Sequence, residues 1–324
     1  MNIRKKCTEM LKIIPLVLNT EFAEGTVNAY LVIGDSITLI DTGNPGKEAF
    51  NQLKEKLKNN RVMLSDINRI ILTHSHVDHA GGISYIQKET DIPIYVHENA
   101  KPFLTDDLAE YEKGEAFFYD FFKESGADIN QHRTKRLYRP LGWRNVHYLK
   151  DGENIDIAGK LFHVVHVPGH SQQDIVLWRE ETGEAFIGDH LINDFSVNAF
   201  IEPPLPGDKV RPRPLLQYRS SLNKVRKLPL NMCYPGHGKL FYNHQELIDR
   251  RIAEQEKRCD HIMGILAEKE RTIYEISQLM YPRLKKRAVY LGLSQVQGHM
   301  DLLVERKYVS VIESEGVLYY LSIR

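Results

Sequence analysis

Apolar residues in the first part of this chain fall in short alternating runs, and later ones recur at helical spacing. From Ile13 to about Asp41 the runs IIPLVLN, VNAYLVIG and SITLIDTG are separated by turn residues, which predicts three strands with Gly34-Asp35 making a hairpin turn. The opening is therefore antiparallel. In GKEAFNQLKEKLK, residues 46–58, Phe50, Leu53 and Leu57 share one helical face. The strand RIILTHS follows from Arg69, then a helix near 80–89 and the strand IPIYVHE, so strand–helix–strand units succeed the hairpin.

Residues 98 to about 145 break this rhythm with a polar and aromatic helical insert, whose Tyr111, Phe117, Phe118, Tyr119, Phe121 and Phe122 are too many for one narrow helix face. Strands resume with LFHVVHVPG, DIVLWRE and EAFIGD. The proline-rich EPPLPGDKVRPRP reads as a loop, a helix carries Leu216 to Val225, and the short strand NMCYPG ends in a glycine turn. Beyond about residue 243 the pattern changes to long charged helices and a final hairpin, KYVSVIESEGVLYYLS, with Glu315-Gly316 at its turn. The boundary divides the chain into residues 1–246 and 247–324.

With 324 residues, 42% of them hydrophobic, the chain exceeds what one core of ~250–300 residues accommodates, which supports two domains and excludes disorder. Its 43 basic residues balance 43 acidic ones, so a charged partner must be met by a local patch. Cys7, Cys233 and Cys259 form no C-x-x-C pair, which argues against a disulfide framework or thiolate metal site and for a reducing, cytoplasmic location. Arg4, Lys5 and Lys6 precede an apolar stretch, Leu11 to Leu18, that is short and interrupted by Lys12 and Pro15. It reads as a basic leader before the first strand rather than a signal peptide, and no apolar run approaches the ~18 residues of a membrane span.

The 14 histidines change the picture most. Thr73-His74-Ser75-His76-Val77-Asp78-His79 sits between the apolar Ile70-Ile71-Leu72 and Ala80-Gly81-Gly82. Histidines two apart where a strand gives way to a helix can turn toward one point, and the adjacent Asp78 and His79 toward a second. Nitrogen and oxygen donors without sulfur suit Zn²⁺ and also allow Fe or Mn. His170, Asp189 and His237 each lie in a glycine-containing turn after an apolar strand, and Asp41 closes another. Asp41 reads as a residue that orients the histidine loop rather than as a ligand. His163 and His166 read as strand residues that pack or support the ligands from behind rather than as ligands, and His190 as a candidate pocket residue.

This ordered set resembles the metallo-β-lactamase superfamily in its glyoxalase II-like hydrolase branch, over roughly residues 13–243. The resemblance implies an α/β fold, an αββα sandwich of two mixed sheets with helices outside, and a two-metal site at one edge. It implies that His74, His76 and His170 bind the first metal, Asp78, His79 and His237 the second, and that Asp189 bridges both. The tail, 247–324, resembles the smaller C-terminal winged-helix domain of the β-lactamase-like endoribonuclease group.

The implied chemistry is hydrolysis by a hydroxide held between two divalent cations, with Asp78 as the catalytic residue that orients it and carries a proton. An ester, thioester or lactone is the expected substrate, a small acyl molecule, and the helical insert is a candidate lid. Single-stranded RNA is the alternative, supported by the tail and by Lys285-Lys286-Arg287, although the tail's excess of positive charge is slight. Lys209, Arg211 and Arg213, after the bridging aspartate, are candidate anion-binding residues, and Tyr218 is a candidate to reach the substrate. A homodimer is the remaining partner expectation.

Overall fold

A computed structural model describes residues 11–22, 25–132, 138–285 and 288–323. The expected basic leader, and Lys286 and Arg287 of the tail cluster, lie outside the described residues.

The alternating runs pair as their pattern predicts. β1 (Lys12–Asn19) and β2 (Thr26–Ile33) are antiparallel, from Lys12↔Ile33 to Asn19↔Thr26, and β3 (Ile37–Ile40) returns beside β2 across the turn at Gly34-Asp35. α1 (Lys47–Asn59) buries Phe50, Leu53 and Leu57. β4 (Arg69–Ile71) then joins β3 in parallel. The helix expected over 80–89 is instead two short ones, α2 (Val77–Ala80) and α3 (Ile83–Ile86). Between them Gly81 and Gly82 pack so closely on Pro45 and Thr42 that side chains there would collide with backbone. The break draws the histidine loop onto the loop that carries Asp41.

β5 (Ile94–His97) continues the parallel pairing. The insert contains α4 (Lys101–Leu104), α5 (Leu108–Glu124) and α6 (Ile129–His132). β6 (Val146–Leu149) completes a sheet of order β1-β2-β3-β4-β5-β6. The second sheet begins with β7 (Asn154–Ile157), β8 (Lys160–His166), β9 (Ile175–Arg179) and β10 (Glu184–Gly188). After α7 (Pro214–Arg226), β11 (Met232–Pro235) pairs parallel with β10, giving the order β11-β10-β9-β8-β7. β6 and β7 are absent from the strands that the hydrophobic pattern predicts. Each has only four residues and carries polar ones, His147 in the first, Asn154 and Asp156 in the second.

The two sheets face each other across a core that includes Tyr30, Ile40 and Ile71 from the first and Phe162, Leu177 and Phe186 from the second. Phe162 and Phe186 are fully buried, so truncating either to alanine would cost about 3–5 kcal/mol. α1 and α3 cover the outer face of the first sheet and α7 that of the second. The result is the expected αββα layering.

The tail runs α8 (His244–Leu266), β12 (Arg271–Thr272), α9 (Ile273–Met280), α10 (Val289–Glu305), β13 (Val309–Ser314) and β14 (Val317–Ser322). The final hairpin turns at Glu315 and Gly316, with φ of 53° and 78°, the positive pair that a two-residue turn demands. β12 adds a third strand, in the order β12-β14-β13. One apolar cluster passes without a break from Val176 and Cys233, through Leu222 and Val225, to Ile262, Leu293 and Met300. Phe121 and Phe122 of the insert belong to the same cluster, and Ser125 O accepts the Tyr274 N–H at 2.9 Å, so insert and tail pack together. No helix among the described residues is long and apolar enough to cross a membrane.

Candidate metal centre

Four strand ends bring their polar residues to one edge of the sandwich. His74 follows β4, and His76 is the residue at which α2 begins, with Asp78 and His79 in its single turn. His170 lies beyond β8, Asp189 directly after β10, and His237 beyond β11. Three overlapping groups of donor atoms result: His74, His76 and His170; His74, His79 and Asp189; and Asp78, His79 and His237. Within each group the atoms lie within 4.8 Å of one another, so all seven expected ligands meet in one cluster.

Asp189 faces both ends of that cluster. Its Oδ2 is 3.6 Å from His170 Nε2 and 3.4 Å from His237 Nε2, while Oδ1 is 3.4 Å from His79 Nε2. His237 Nε2 also stands 3.4 Å from Asp78 Oδ2, and His76 Nδ1 is 2.9 Å from His170 Nε2.

The outer nitrogens of four histidines are pinned. Asp41 Oδ2 accepts the Nδ1–H of His79 at 2.9 Å, Thr73 Oγ1 that of His74 at 3.1 Å, the Asn198 carbonyl that of His170 at 2.9 Å, and the Thr26 carbonyl that of His237 at 2.5 Å. In the neutral ring each such bond would direct the Nε2 lone pair inward, the form that a cation requires. Asp41, at φ 58°, also accepts Thr73 N and Thr73 Oγ1, both at 2.8 Å. These contacts tie Asp41 both to the residue before His74 and to the His79 ring.

Glycines let the turns approach the cluster. A Cβ at Gly236 would collide with Asp189 Oδ1 and stand 2.6 Å from His79 Cε1. The same turn is held from the first sheet: Asn28 Nδ2 donates to the carbonyls of Pro235 and Gly238, at 3.0 and 2.9 Å, and Tyr30 OH to Pro235 O at 2.6 Å. Asp174, which the sequence pattern does not single out, accepts Ser171 N and Ser171 Oγ at 2.8 Å and lies 3.9 Å from His74 Nδ1.

The electrostatics ask for positive charge. Among the described residues the ionic partners of Asp41, Asp78 and Asp189 are imidazoles. Burial and then the neighbouring imidazoles push His74 well below the usual histidine range, and burial with His170 lowers His76 to about 3. Burial likewise lowers His170. Burial opposes protonation of His79 and His237 as well, yet the carboxylates beside them win. Asp189 and Asp41 raise His79 well above its ordinary value, and Asp189 with Asp78 raises His237 to about 9. Against burial, His79 and His237 hold Asp189 well below the carboxylate range, and His237 and His79 lower Asp78. His74 Nε2, His79 Nε2 and Asp189 Oδ1 are buried without a hydrogen-bond partner. Orphaned donors of this kind, carboxylates and outward-pinned imidazoles together, fit divalent cations.

Other candidate residues have different surroundings. Arg211 makes a two-pronged ion pair with Asp301 of α10, at 2.8 and 2.6 Å, and Arg213 pairs with Glu305 at 2.7 Å; Lys209 is exposed. Tyr218 is buried, its hydroxyl donates to His190 O at 2.7 Å, and its backbone packs under Gly169, so it supports the turn that carries His170. His190 is buried beneath the cluster with its ring against Tyr218. His163 lies against Trp178, and His166 stacks on His97 at 3.9 Å; neither joins the cluster.

Comparison with known proteins agrees with the geometry. The family model described as the metallo-beta-lactamase superfamily matches residues 23–237. The probable metallo-hydrolase YqjP of Bacillus subtilis is 31% identical over 96% of this chain and 98% of its own length. An atrochrysone carboxyl ACP thioesterase of Aspergillus fumigatus is 22% identical over 78% of this chain and 47% of its own length. In structure, a metallo-beta-lactamase family protein of Thermus thermophilus superposes with a TM-score of 0.79 at 23% identity, covering 96% of this chain and 98% of that one; this likeness concerns the fold alone.

Proposed function

Because this chain belongs to the metallo-beta-lactamase superfamily, we propose that it is a two-metal hydrolase that opens an ester, thioester or lactone. The observation that carries this reading is the convergence of seven donor residues, four of them with their outer nitrogens already committed. His74, His76 and His170 would hold one cation and Asp78, His79 and His237 the other, with Asp189 between them. Zn²⁺ suits these donors first, with Fe or Mn as alternatives. Two such cations supply a water whose pKa falls toward neutrality and polarise the scissile carbonyl.

The chain's own part is to orient and to carry protons. Asp78, 7% exposed at the edge of the cluster, aligns the attacking water and passes its proton to the leaving group. The buried setting keeps competing water out, and the bonds to their outer nitrogens orient four of the histidines. No serine or cysteine nucleophile is required, and Cys233 and Cys259 are buried. Acyl chemistry, of the glyoxalase II-like kind, is favoured by the relative named as a thioesterase and by the ion pairs that engage Arg211 and Arg213, since a phosphodiester backbone needs uncommitted cations. In this reading residues 1–246 are the catalytic unit, 247–324 form a winged-helix-like unit packed against it, and the protein works in the cytoplasm.

The test is a panel of thioesters, lactones and aryl esters with zinc-loaded protein, beside labelled single-stranded RNA. Acyl turnover that disappears together with bound metal in His76→Ala and Asp189→Ala supports the proposal. RNA cleavage lost in His76→Ala, without acyl turnover in the wild type, replaces it with a nuclease.

A further inference from the structure

Three separate elements bring aromatic rings to the His74, His76 and His170 side of the cluster. Phe200, in the loop after Asp189, meets the rings of His76 and His170 edge-on, with centroids 5.3 and 5.2 Å apart. Tyr290, at the start of α10, lies nearly parallel to Phe200 at 5.9 Å, and Phe118 of α5 meets Tyr290 at 5.6 Å. The arrangement is built rather than incidental. Tyr290 OH donates to Ile201 O, Asn198 Nδ2 donates to Leu291 O at 3.0 Å, and Ile201 N donates to Ser294 Oγ at 3.3 Å. All three rings remain partly exposed, so apolar surface stays open beside the cluster.

We propose that Phe200, backed by Tyr290 and Phe118, is the wall that receives an aromatic or bulky apolar group of the substrate, and so determines specificity. The inference rests on the hydrolase reading and names its substrate class. Partly exposed aromatic surface gains most from an apolar partner that leaves water with it. Charge decides against a nucleobase on a phosphate backbone, because two cations of the same loop, Arg211 and Arg213, are neutralised by Asp301 and Glu305. An aryl group that buries one face on this wall binds about tenfold tighter than a methyl group in its place.

Binding separates this inference from the reaction itself. Calorimetry on the full-length, zinc-loaded protein compares 2-naphthohydroxamate with acetohydroxamate, two compounds with the same chelating group and different apolar ends. Wild type is expected to prefer the naphthyl compound by about tenfold or more, and Phe200→Ala to lose most of that preference, with Phe200→Leu between them. Tyr290→Ala, which removes the backing ring and its hydrogen bond to Ile201 O, is expected to lose part of it. An undiminished preference in Phe200→Ala overturns the proposal, and so does a parallel fall for both compounds, which would mean that Phe200 acts on the histidines. Binding of neither compound overturns it too. Loss of RNA-oligonucleotide binding in Phe200→Ala, with the naphthyl preference intact, assigns the wall to a stacked base instead. A naphthyl preference in the wild type that Phe200→Ala loses, without turnover of any ester, thioester or lactone, contradicts the hydrolase reading alone.

Discussion

Asp41 accepts the Nδ1–H of His79 at 2.9 Å through the same Oδ2 that accepts Thr73 Oγ1, while Oδ1 takes the Thr73 N–H. One carboxylate thus sets the ring that faces Asp189 and fixes the backbone entering the histidine loop. Asp41→Asn keeps the shape and weakens the charge-assisted bond. Affinity at the second metal position should fall by about 10–100-fold, read by competition with a chromophoric chelator, with the far-ultraviolet spectrum unchanged. Unchanged affinity would show that the ring is held without Asp41.

Gly236→Ala tests the closeness of the turn to the cluster. The new methyl group would collide with Asp189 Oδ1, and the turn cannot retreat easily because Asn28 and Tyr30 hold the Pro235 carbonyl. Metal content and turnover should fall together while the protein stays folded. A fully metallated, active variant would show that the turn has room.

Much of this site was legible because each ligand follows an apolar strand and its chemistry is unusual at such a position. His74 to His79 could be read from one short segment. The aromatic wall could not, since Phe200 and Tyr290 are brought together by tertiary packing and share no local pattern. Asp174 was missed for a similar reason: its nearness to His74 depends on how β9 meets the loop after β4. Arg211 looked like an anion-binding residue because a cation in a loop after Asp189 has that local character, yet its partner, Asp301, lies 90 residues on. The short β6 and β7 escaped because neighbouring strands, rather than their own apolar content, make them strands.

The Arg211–Asp301 pair joins the loop to α10 in a largely buried setting, with side chains 24% and 8% exposed. Removing one partner strands the other's charge. Arg211→Met should destabilise the protein by roughly 2–4 kcal/mol in urea unfolding, somewhat below a fully buried pair. Arg213→Met, whose partner Glu305 is exposed, should cost less than about 1 kcal/mol. Equal costs would refute the distinction.

Glu256 on α8 accepts from Arg306 and Arg219, linking α7, α8 and the end of α10. Hydrogen bonds from Arg306 lead the causes that lower its pKa from 4.5 to about 2, against a burial cost and with help from Arg219. A depressed acid stabilises the fold above its unfolded pKa, and that contribution is lost as pH falls through the folded one. The Tm advantage of wild type over Glu256→Gln should therefore be full at neutral pH and shrink between about pH 4.5 and pH 2. An advantage that grows in acid would contradict the linkage.

The most direct test of the two-metal account is elemental analysis of the purified protein, paired with acyl turnover before and after chelation. About two divalent transition-metal ions per chain are expected, with activity lost on stripping and restored by Zn²⁺, Fe or Mn, and with both metal and activity lost in Asp189→Ala. A metal-free protein that still hydrolyses its substrate, or an Asp189→Ala variant with full activity, would contradict it.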